Sequence, residues 1–380
     1  MKAEPEIERL KATLAENKKE LDALVLQFLP KTHKSKQISN LYEMMRDYPS
    51  RGGKGLRGTL CIMWCELFGG RREEALVTAA ALELFQNWIL IHDDIEDKSD
   101  MRRGAPALHK KYGLELAINV GDALHGKMWE LLLTNSDIIG KEATLEILSE
   151  FANMLNETTE GQQMELAWTT HNEWDIDEED YLLMVTKKAA WYTCISPSRM
   201  GAIIAVRSLS SLTQATSFGK PIHAIITNQG KRDKHPNGIM ERLVGLGTDL
   251  GISFQIIDDV LNLTAEESKY GKEILGDLYE GKRTLMVIHL LRKSDESTRS
   301  KIIGYLSKRR EEKSREEMKY VFNRMKEYGS IDYAIDFARK HSEKALSEFD
   351  ELTRIADGGI TSDRCLELRG LLEYLTNRDY

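Results

Sequence analysis

Apolar positions along this chain recur at three- and four-residue spacings, with little of the strict alternation that marks half-buried strands. The opening stretch "EPEIERLKATLAENKKELDALVLQF" carries Leu10, Leu14, Leu21 and Val25 on one stripe of a charged helix, over residues 4 to about 29, with Pro30 at its end. A polar, glycine-rich loop, "YPSRGGKGLRGT", then leads into an apolar helix. Further on, "ALELFQNWILI" is apolar almost throughout and reads as a buried helix. Helices of useful length follow one another from there. One segment breaks the rhythm: residues 208 to 238, rich in Ser, Thr, Asn, Gly and Lys, read as a polar excursion from the bundle. From about 293 to 350 the pattern turns highly charged and predicts exposed helices, a solvated outer layer.

With only 7 prolines and no Pro/Gly/Ser-rich linker in 380 residues, the pattern predicts an all-α chain forming one large domain over residues 1–380. A net charge of −8 gives no broad basic footprint, so nucleic acid is not an expected partner. No run of 18 apolar residues occurs, and the charged amphipathic start is unlike a signal peptide; both point to a soluble, cytoplasmic protein without a membrane segment. Cys61, Cys65, Cys194 and Cys365 show neither metal-site pairing nor disulfide density, so they read as reduced, mostly buried thiols.

Candidate chemistry begins where the apolar helix ends. In "HDDIEDKSDMRRG", residues 92–104, four carboxylates (Asp93, Asp94, Glu96 and Asp97) fall within five positions, with two arginines downstream. Such a run can be a solvated helix end. A second copy changes the reading: "SFQIIDDVLN" around Asp258 and Asp259 repeats an apolar lead-in, an Asp-Asp pair, and an oxygen side chain four residues after the first Asp. Positions i and i+4 share a helix face, so Asp93 with Asp97, and Asp258 with Asn262, are expected to aim oxygens at one place. Oxygen ligands without His or Cys select a hard ion, and Mg²⁺ is held by a few carboxylates together with substrate phosphates. Asp93, Asp97 and Asp258 are the candidate metal ligands. Cations stand nearby in sequence: Lys54 and Arg57 in the glycine-rich loop, Arg102 and Arg103 after the first acidic motif, Lys272 and Lys282 after the second. Any one of these is commonly a plain surface charge. Together with two acidic clusters at the mouth of an apolar bundle, they suggest a ligand with a diphosphate head and a hydrocarbon tail.

These motifs, in this order from about residue 40 to 290, resemble the trans-type isoprenyl diphosphate synthases, also called polyprenyl synthetases. The family's first aspartate-rich motif matches Asp93, Asp94 and Asp97; the second matches Asp258 and Asp259, with Asn262 in the last place. The resemblance implies an isopentenyl diphosphate site at Lys54, Arg57, Gln86 and Arg103, and an allylic diphosphate site at Arg102, Lys188, Lys272 and Lys282. It places Gln255 facing a developing carbocation, and it implies the isoprenoid synthase bundle with a central cavity between two aspartate-rich helices. Homodimer formation, three magnesium ions per site, and isopentenyl and allylic prenyl diphosphates as substrates come with it.

Three departures stand out. The family's Lys-Thr pair is Lys188-Ala189 here, which removes a hydroxyl near the reacting carbon; a proline after the loop arginine is Gly58, expected to loosen that loop; and the third Asp of the second motif is Asn262. Asp258, Asn262 and Glu266 also have a spacing like the second metal motif of terpene cyclases, which makes a cyclase one rival reading. A non-catalytic subunit that partners a synthase is another. In the family the helix before the first motif lines the product tunnel, so Trp88 and Ile89, five and four residues before Asp93, are expected to floor it, with Phe85 a turn deeper. That arrangement resembles short-chain members stopping at twenty carbons, so geranylgeranyl diphosphate is the expected product and farnesyl diphosphate the runner-up.

Overall fold

Residues 4–213, 238–265, 274–355 and 362–376 are described by the structure, a computed structural model. Within them the chain is all-α, as the periodicity predicts, apart from one two-residue hairpin. Helix α1 (Glu4–Phe28) lays Leu10, Leu21 and Val25 onto the bundle, in register with its amphipathic stripe. Helix α2 (Lys36–Ser50) continues through Tyr48 and Pro49, so the glycine-rich loop is shorter than its composition suggests and spans only residues 51–55. Helices α3 (Leu56–Leu67) and α4 (Arg72–Glu96) follow, and the acidic motif forms the last turn of α4.

Helix α4 is long and apolar enough to cross a membrane by length and composition, although Glu83, Gln86 and Asn87 interrupt its apolar run. Its apolar side chains are mostly buried among other helices, which is how a core helix passes the same test.

After α4 the hairpin pairs β1 (Met101–Arg102) with β2 (Ala105–Pro106). Its turn is made by Arg103 and Gly104, both left-handed at φ 52° and 74°. The non-glycine strain at Arg103 is held by hydrogen bonds from its guanidinium to Tyr48 O (2.7 Å) and Asn87 Oδ1 (2.9 Å). Helices α5 (Leu108–Tyr112), α6 (Leu114–Leu133) and α7 (Gly140–Thr170) complete the first half.

Helix α8 (Glu178–Val185) runs without a break through a π-helical stretch, Thr186–Ile195, into α9 (Ser196–Thr213). The wide π turns are wedged between neighbours that must approach closely. A Cβ on Gly161 of α7 would lie 2.2 Å from Lys188 N, and one on Gly251 would lie 2.3 Å from the Ala190 Cβ. Glycine at those two positions is what lets the π stretch, with Lys188 and Ala189, sit against its neighbours. Of the polar excursion at 208–238, residues 208–213 are the end of α9, Gly238 precedes the next helix, and the rest lies outside the described residues, as do Glu266 and Lys272.

Helix α10 (Ile239–Thr264) carries the second acidic motif near its C-terminal end. Short α11 (Gly276–Glu280), α12 (Leu285–Lys293), α13 (Glu296–Leu306), α14 (Arg315–Glu327), α15 (Ser330–Ile355) and α16 (Ser362–Thr376) follow. The charged region over 293–350 is not merely an outer layer. Met318, Val321 and Met325 of α14, and Ala334, Ala338, Ala345 and Phe349 of α15, are buried. Their charged neighbours occupy the opposite faces, and one apolar stripe at 3.6-residue spacing suffices to make a core contact. Two hydrophobic cores result, one centred on α3, α4, α6, α7 and α9, the other on α8, α12, α14 and the C-terminal half of α10. Trp88, Ile89 and Tyr192 of the first and Met184, Val185 and Ala189 of the second line a common cavity.

Candidate active site

The cavity, of about 500 Å³, gathers residues far apart in sequence. Asp93 from the end of α4, Asp258 and Asp259 from α10, and Asp277 from α11 bring carboxylates to it; Lys54, Arg57, Arg102, Arg103, Lys188 and Lys282 bring cations. Trp88, Ile89, Leu90, Met184, Val185 and Phe254 supply apolar wall, and Gln86 and Gln255 supply amides. Most candidate site residues therefore converge. Asp94, Asp97, Asn262 and Phe85 do not line the cavity; each is placed behind it.

Asp94 is fully buried and committed to the protein. It accepts a 2.5 Å hydrogen bond from the Tyr48 hydroxyl, which itself accepts from Leu108 N, and it takes a forked ion pair from the Arg102 guanidinium, Nε lying 2.9 and 3.1 Å from its two oxygens. A fork on a buried carboxylate fixes Arg102 in space. Its Nη2 reaches on to Asp93 Oδ2 at 3.5 Å.

Asp97 sits beside the cavity against Lys282, whose ammonium lies 2.8 Å from Asp97 Oδ2, 2.8 Å from Glu280 and 3.7 Å from Asp277. Burial pushes the Asp97 carboxyl up to about 7, with Asp93 and Glu280 adding to the rise against the pull of Lys282. Lys188 bridges in the same way, paired with Glu165 and 3.7 Å from Asp93 Oδ1. The acidic motif and its lysines thus lock each other across the seam, α4 to α11 and α4 to the π stretch.

On α10, Asp259 accepts from the Tyr181 hydroxyl (2.9 Å) and from Gln255 Nε2 (2.8 Å). Burial and then the nearby Asp277 raise its pKa well above the ordinary carboxylate range. Gln255, with Nε2 so engaged, also lines the cavity. The expected partnership of Asp258 with Asn262 is corrected. Asn262 is buried, its Oδ1 accepting from Asp277 N (3.1 Å) and its carbonyl from Leu275 N (2.8 Å). The i, i+4 spacing does put it one turn beyond Asp258, but the returning chain claims its amide oxygen to cap α11.

Around the glycine-rich loop, Arg57 stacks on the Tyr192 ring (4.2 Å to its centroid) and donates to Thr193 Oγ1 (2.9 Å), while its buried Nε has no hydrogen-bond partner; nor has the buried Oε1 of Gln86. A Cβ on Gly53 would sit 3.0 Å from Arg103 Nη2. Burial, with Arg102 nearby, brings the Arg103 guanidinium down to about 10. The unpartnered Arg57 donor and the Arg103 guanidinium beside a backbone stripped of side chains suit an anion, while the Gln86 oxygen is left to accept. Gly58 overturns the expected looseness: it lies inside α3, its N–H donates to the half-buried Glu83 carboxylate (3.0 Å), and a Cβ there would meet Ala79 O at 2.9 Å. A proline would lack that donor and strike α4.

Deeper along α4, the Trp88 indole stacks flat on the His125 ring of α6, centroids 4.1 Å apart and planes 8° apart, with Phe85 packed edge-on behind it at 5.4 Å. Gly121 makes room, since a Cβ there would lie 3.4 Å from Trp88 Cδ1 and nearer still to His92. The residues that sequence reasoning missed are Glu165, Tyr181 and Asp277. Asp277 had a signal, an acid five residues before Lys282 in the same short stretch; Glu165 and Tyr181 had none, because their partners are distant in sequence.

The carboxylates present fit a hard divalent ion by ligand type, although among the described residues no three acidic or imidazole groups converge closely enough to hold one by themselves. That suits an ion completing its shell with phosphate oxygens.

Comparison with known proteins gives this geometry its place. The polyprenyl synthetase profile matches residues 38–229 and 224–325. The chain belongs to the polyprenyl synthetase family, and it is a trans-prenyltransferase. It is 32% identical to a geranylgeranyl diphosphate synthase of Sulfolobus acidocaldarius over 86% of this chain and 89% of that one. It is 30% identical to one of Methanosarcina mazei over 95% of each. The crystal structure of a geranylgeranyl pyrophosphate synthetase from Pyrococcus horikoshii superposes with a TM-score of 0.78 at 29% identity, covering 98% of this chain and 99% of that one.

Proposed function

We propose that this prenyltransferase condenses isopentenyl diphosphate with allylic diphosphates and releases geranylgeranyl diphosphate. The observation that carries the reading is the single cavity in which carboxylates from two helix ends, seven cations and an apolar wall meet. The names of the similar synthases support the twenty-carbon product.

In this reading Arg102, held in place by Asp94, together with Lys188 and Lys282, which exchange their present carboxylate partners for phosphate oxygens, and with Lys272, holds the allylic diphosphate. Magnesium, three ions per site when bound with the substrate, would be held by Asp93, Asp97 and Asp258 and would supply the charge neutralisation that makes the diphosphate a leaving group. The C–O bond breaks with its electron pair going to the diphosphate, and the oxygen of Gln255 faces the allylic cation left behind. Met184, Val185, Ala189 and Phe254 exclude water that would otherwise trap it. Lys54, Arg57, Gln86 and Arg103 hold isopentenyl diphosphate so that its double bond attacks that carbon, and a proton then leaves to the departed diphosphate. Trp88 floors the tunnel. Exposed apolar side chains on and beside α6 and α7, Ile118, Leu133, Ile138 and Leu145, support a homodimer that covers them.

The cyclase reading loses its footing because Asn262 is turned to the backbone of Asp277. Steady-state kinetics test the assignment: Arg57→Gln raises KM for isopentenyl diphosphate about tenfold or more while leaving KM for the allylic substrate unchanged. Equal shifts in both constants, or turnover of the allylic substrate that does not need isopentenyl diphosphate, contradict it.

A further inference from the structure

Away from the reaction cavity, a second cavity of about 120 Å³ lies between the 172–177 segment joining α7 to α8 and helices α12 and α13. Its floor is apolar, from Ile176, Val287, Ile288 and Leu291. Three guanidinium groups converge on it: Arg283, Arg292 from the last turn of α12, and Arg299 from α13. Each keeps guanidinium N–H groups that no protein group accepts among the described residues: one buried N–H of Arg283, with Arg292 exposed and Arg299 half-buried. Arg292 and Arg299 make no ion pair or side-chain hydrogen bond among the described residues.

Arg283 is the more telling of the three. It is 4% exposed, stacked on the Trp174 indole with its guanidinium carbon 3.9 Å from the ring centroid, and tied by Nε to Glu173 O at 2.9 Å and by Nη1 to Gly281 O. Its Nη2 is buried and has no partner. A buried guanidinium N–H left unmatched costs more than the average hydrogen bond contributes, so a ligand is the natural completion. Two carboxylates also line the cavity, but Asp177 caps α8 by accepting from Asp180 N (3.0 Å), and Asp175 is exposed at the rim. Three guanidiniums against two carboxylates leave the cavity net positive.

We propose that this cavity is a second anion site, separate from the reaction cavity, that takes a small phosphoryl oxyanion, orthophosphate or inorganic diphosphate. The planar forks of Arg283, Arg292 and Arg299 match phosphate oxygens, and the volume excludes a prenyl chain. Arg283 also lines the reaction cavity and is the immediate neighbour of Lys282, so an anion drawn onto its Nη2 acts on the wall of the substrate site. The shared side chain makes the two sites reciprocal: whatever the anion does to allylic substrate affinity, the substrate does to the anion.

The test follows tryptophan emission of the full chain while orthophosphate, and separately diphosphate, is titrated in without magnesium at fixed ionic strength. The expected result is a saturable change with at least one of the two anions that loses a component in Trp174→Phe, that Trp174-dependent component needing about tenfold more anion in Arg299→Ala, with Arg292→Ala giving the same displacement. Saturation at lower concentration with diphosphate identifies the leaving group of the proposed reaction as the physiological source; equal or tighter binding of orthophosphate identifies the free ion, and either supports the site. A change undiminished in Trp174→Phe, a Trp174-dependent midpoint unmoved in both arginine variants, or no saturable binding of either anion by calorimetry overturns it. Arg292 and Arg299 lie near the surface and outside the reaction cavity, so both variants keep the fold and the basal turnover.

Discussion

Trp88→Ala should lengthen the product by about one five-carbon unit. Trp88 stands five residues before Asp93, about 7.5 Å along the axis of α4, and the next bulky side chain below it, Phe85, is three residues or about 4.5 Å further. One isoprene unit adds four chain bonds of about 1.5 Å, which in an extended zigzag spans about 5 Å. Removing the indole therefore opens room for one more unit before Phe85 stops the chain, moving the main product from twenty carbons to twenty-five. The cost to stability is moderate. Truncating a buried Trp typically costs about 3–5 kcal/mol, and Trp88 belongs near the lower end because one side already faces the cavity. The stacks on His125 and Phe85 contribute about 0.5–1.5 kcal/mol each to that figure. A chain of this size tolerates such a loss, and Trp88→Leu, which keeps more of the packing, is the companion variant. Both are assayed by dephosphorylating the products and separating the alcohols by chain length, with circular dichroism confirming the fold. An unchanged twenty-carbon product in both folded, active variants refutes the floor.

Further consequences follow from the same geometry. Asp93→Ala should lower turnover about a hundredfold or more with the helical signal intact, since it removes a group that acts in the transition state; near-normal turnover with magnesium would remove Asp93 from the site. Gly58→Ala should destabilise the protein by about 1–3 kcal/mol in denaturant unfolding, because its methyl group meets Ala79 O and the Leu21 side chain; a midpoint equal to wild type contradicts that packing. Lys313, buried and donating to the carbonyls of Leu278 (3.0 Å) and Tyr279 (2.8 Å), is held down to about 8 by burial, with Arg283 and Arg310 adding to the effect. Between that value and about 10.4, its value in the unfolded chain, the folded state binds fewer protons, so this group's destabilisation is complete below pH 8 and is relieved as pH rises through the window. Lys313→Met should flatten that rise in a stability–pH series; identical slopes count against it.

Local chemistry made much of this protein legible. The α4 run and the Asp-Asp pairs at 93 and 258 foretold helix ends turned toward a cavity, since burial and i, i+4 geometry are properties of a short stretch of chain. What the sequence could not reveal depends on distant partners. Asp94 reads like Asp93 in the motif, yet Tyr48 and Arg102 bind it from outside α4 and remove it from the cavity wall. Asn262 is diverted by the chain returning at Asp277, and Lys188 is defined as much by Glu165 on α7 as by its own surroundings. Gly58 shows the same limit. Its role as the contact between α3 and α4 depends on Ala79, which no pattern around residue 58 announces.

The most direct measurement of the central claim, that one cavity positions two diphosphates for condensation, is a single turnover with the enzyme in excess, magnesium present, farnesyl diphosphate unlabelled and isopentenyl diphosphate carrying a carbon label. The account predicts that the label passes into a twenty-carbon diphosphate as the farnesyl substrate disappears, one equivalent per chain extended, and that Asp258→Ala slows this step about a hundredfold or more. Label that stays in isopentenyl diphosphate, whether the farnesyl diphosphate is consumed or left untouched, would contradict it.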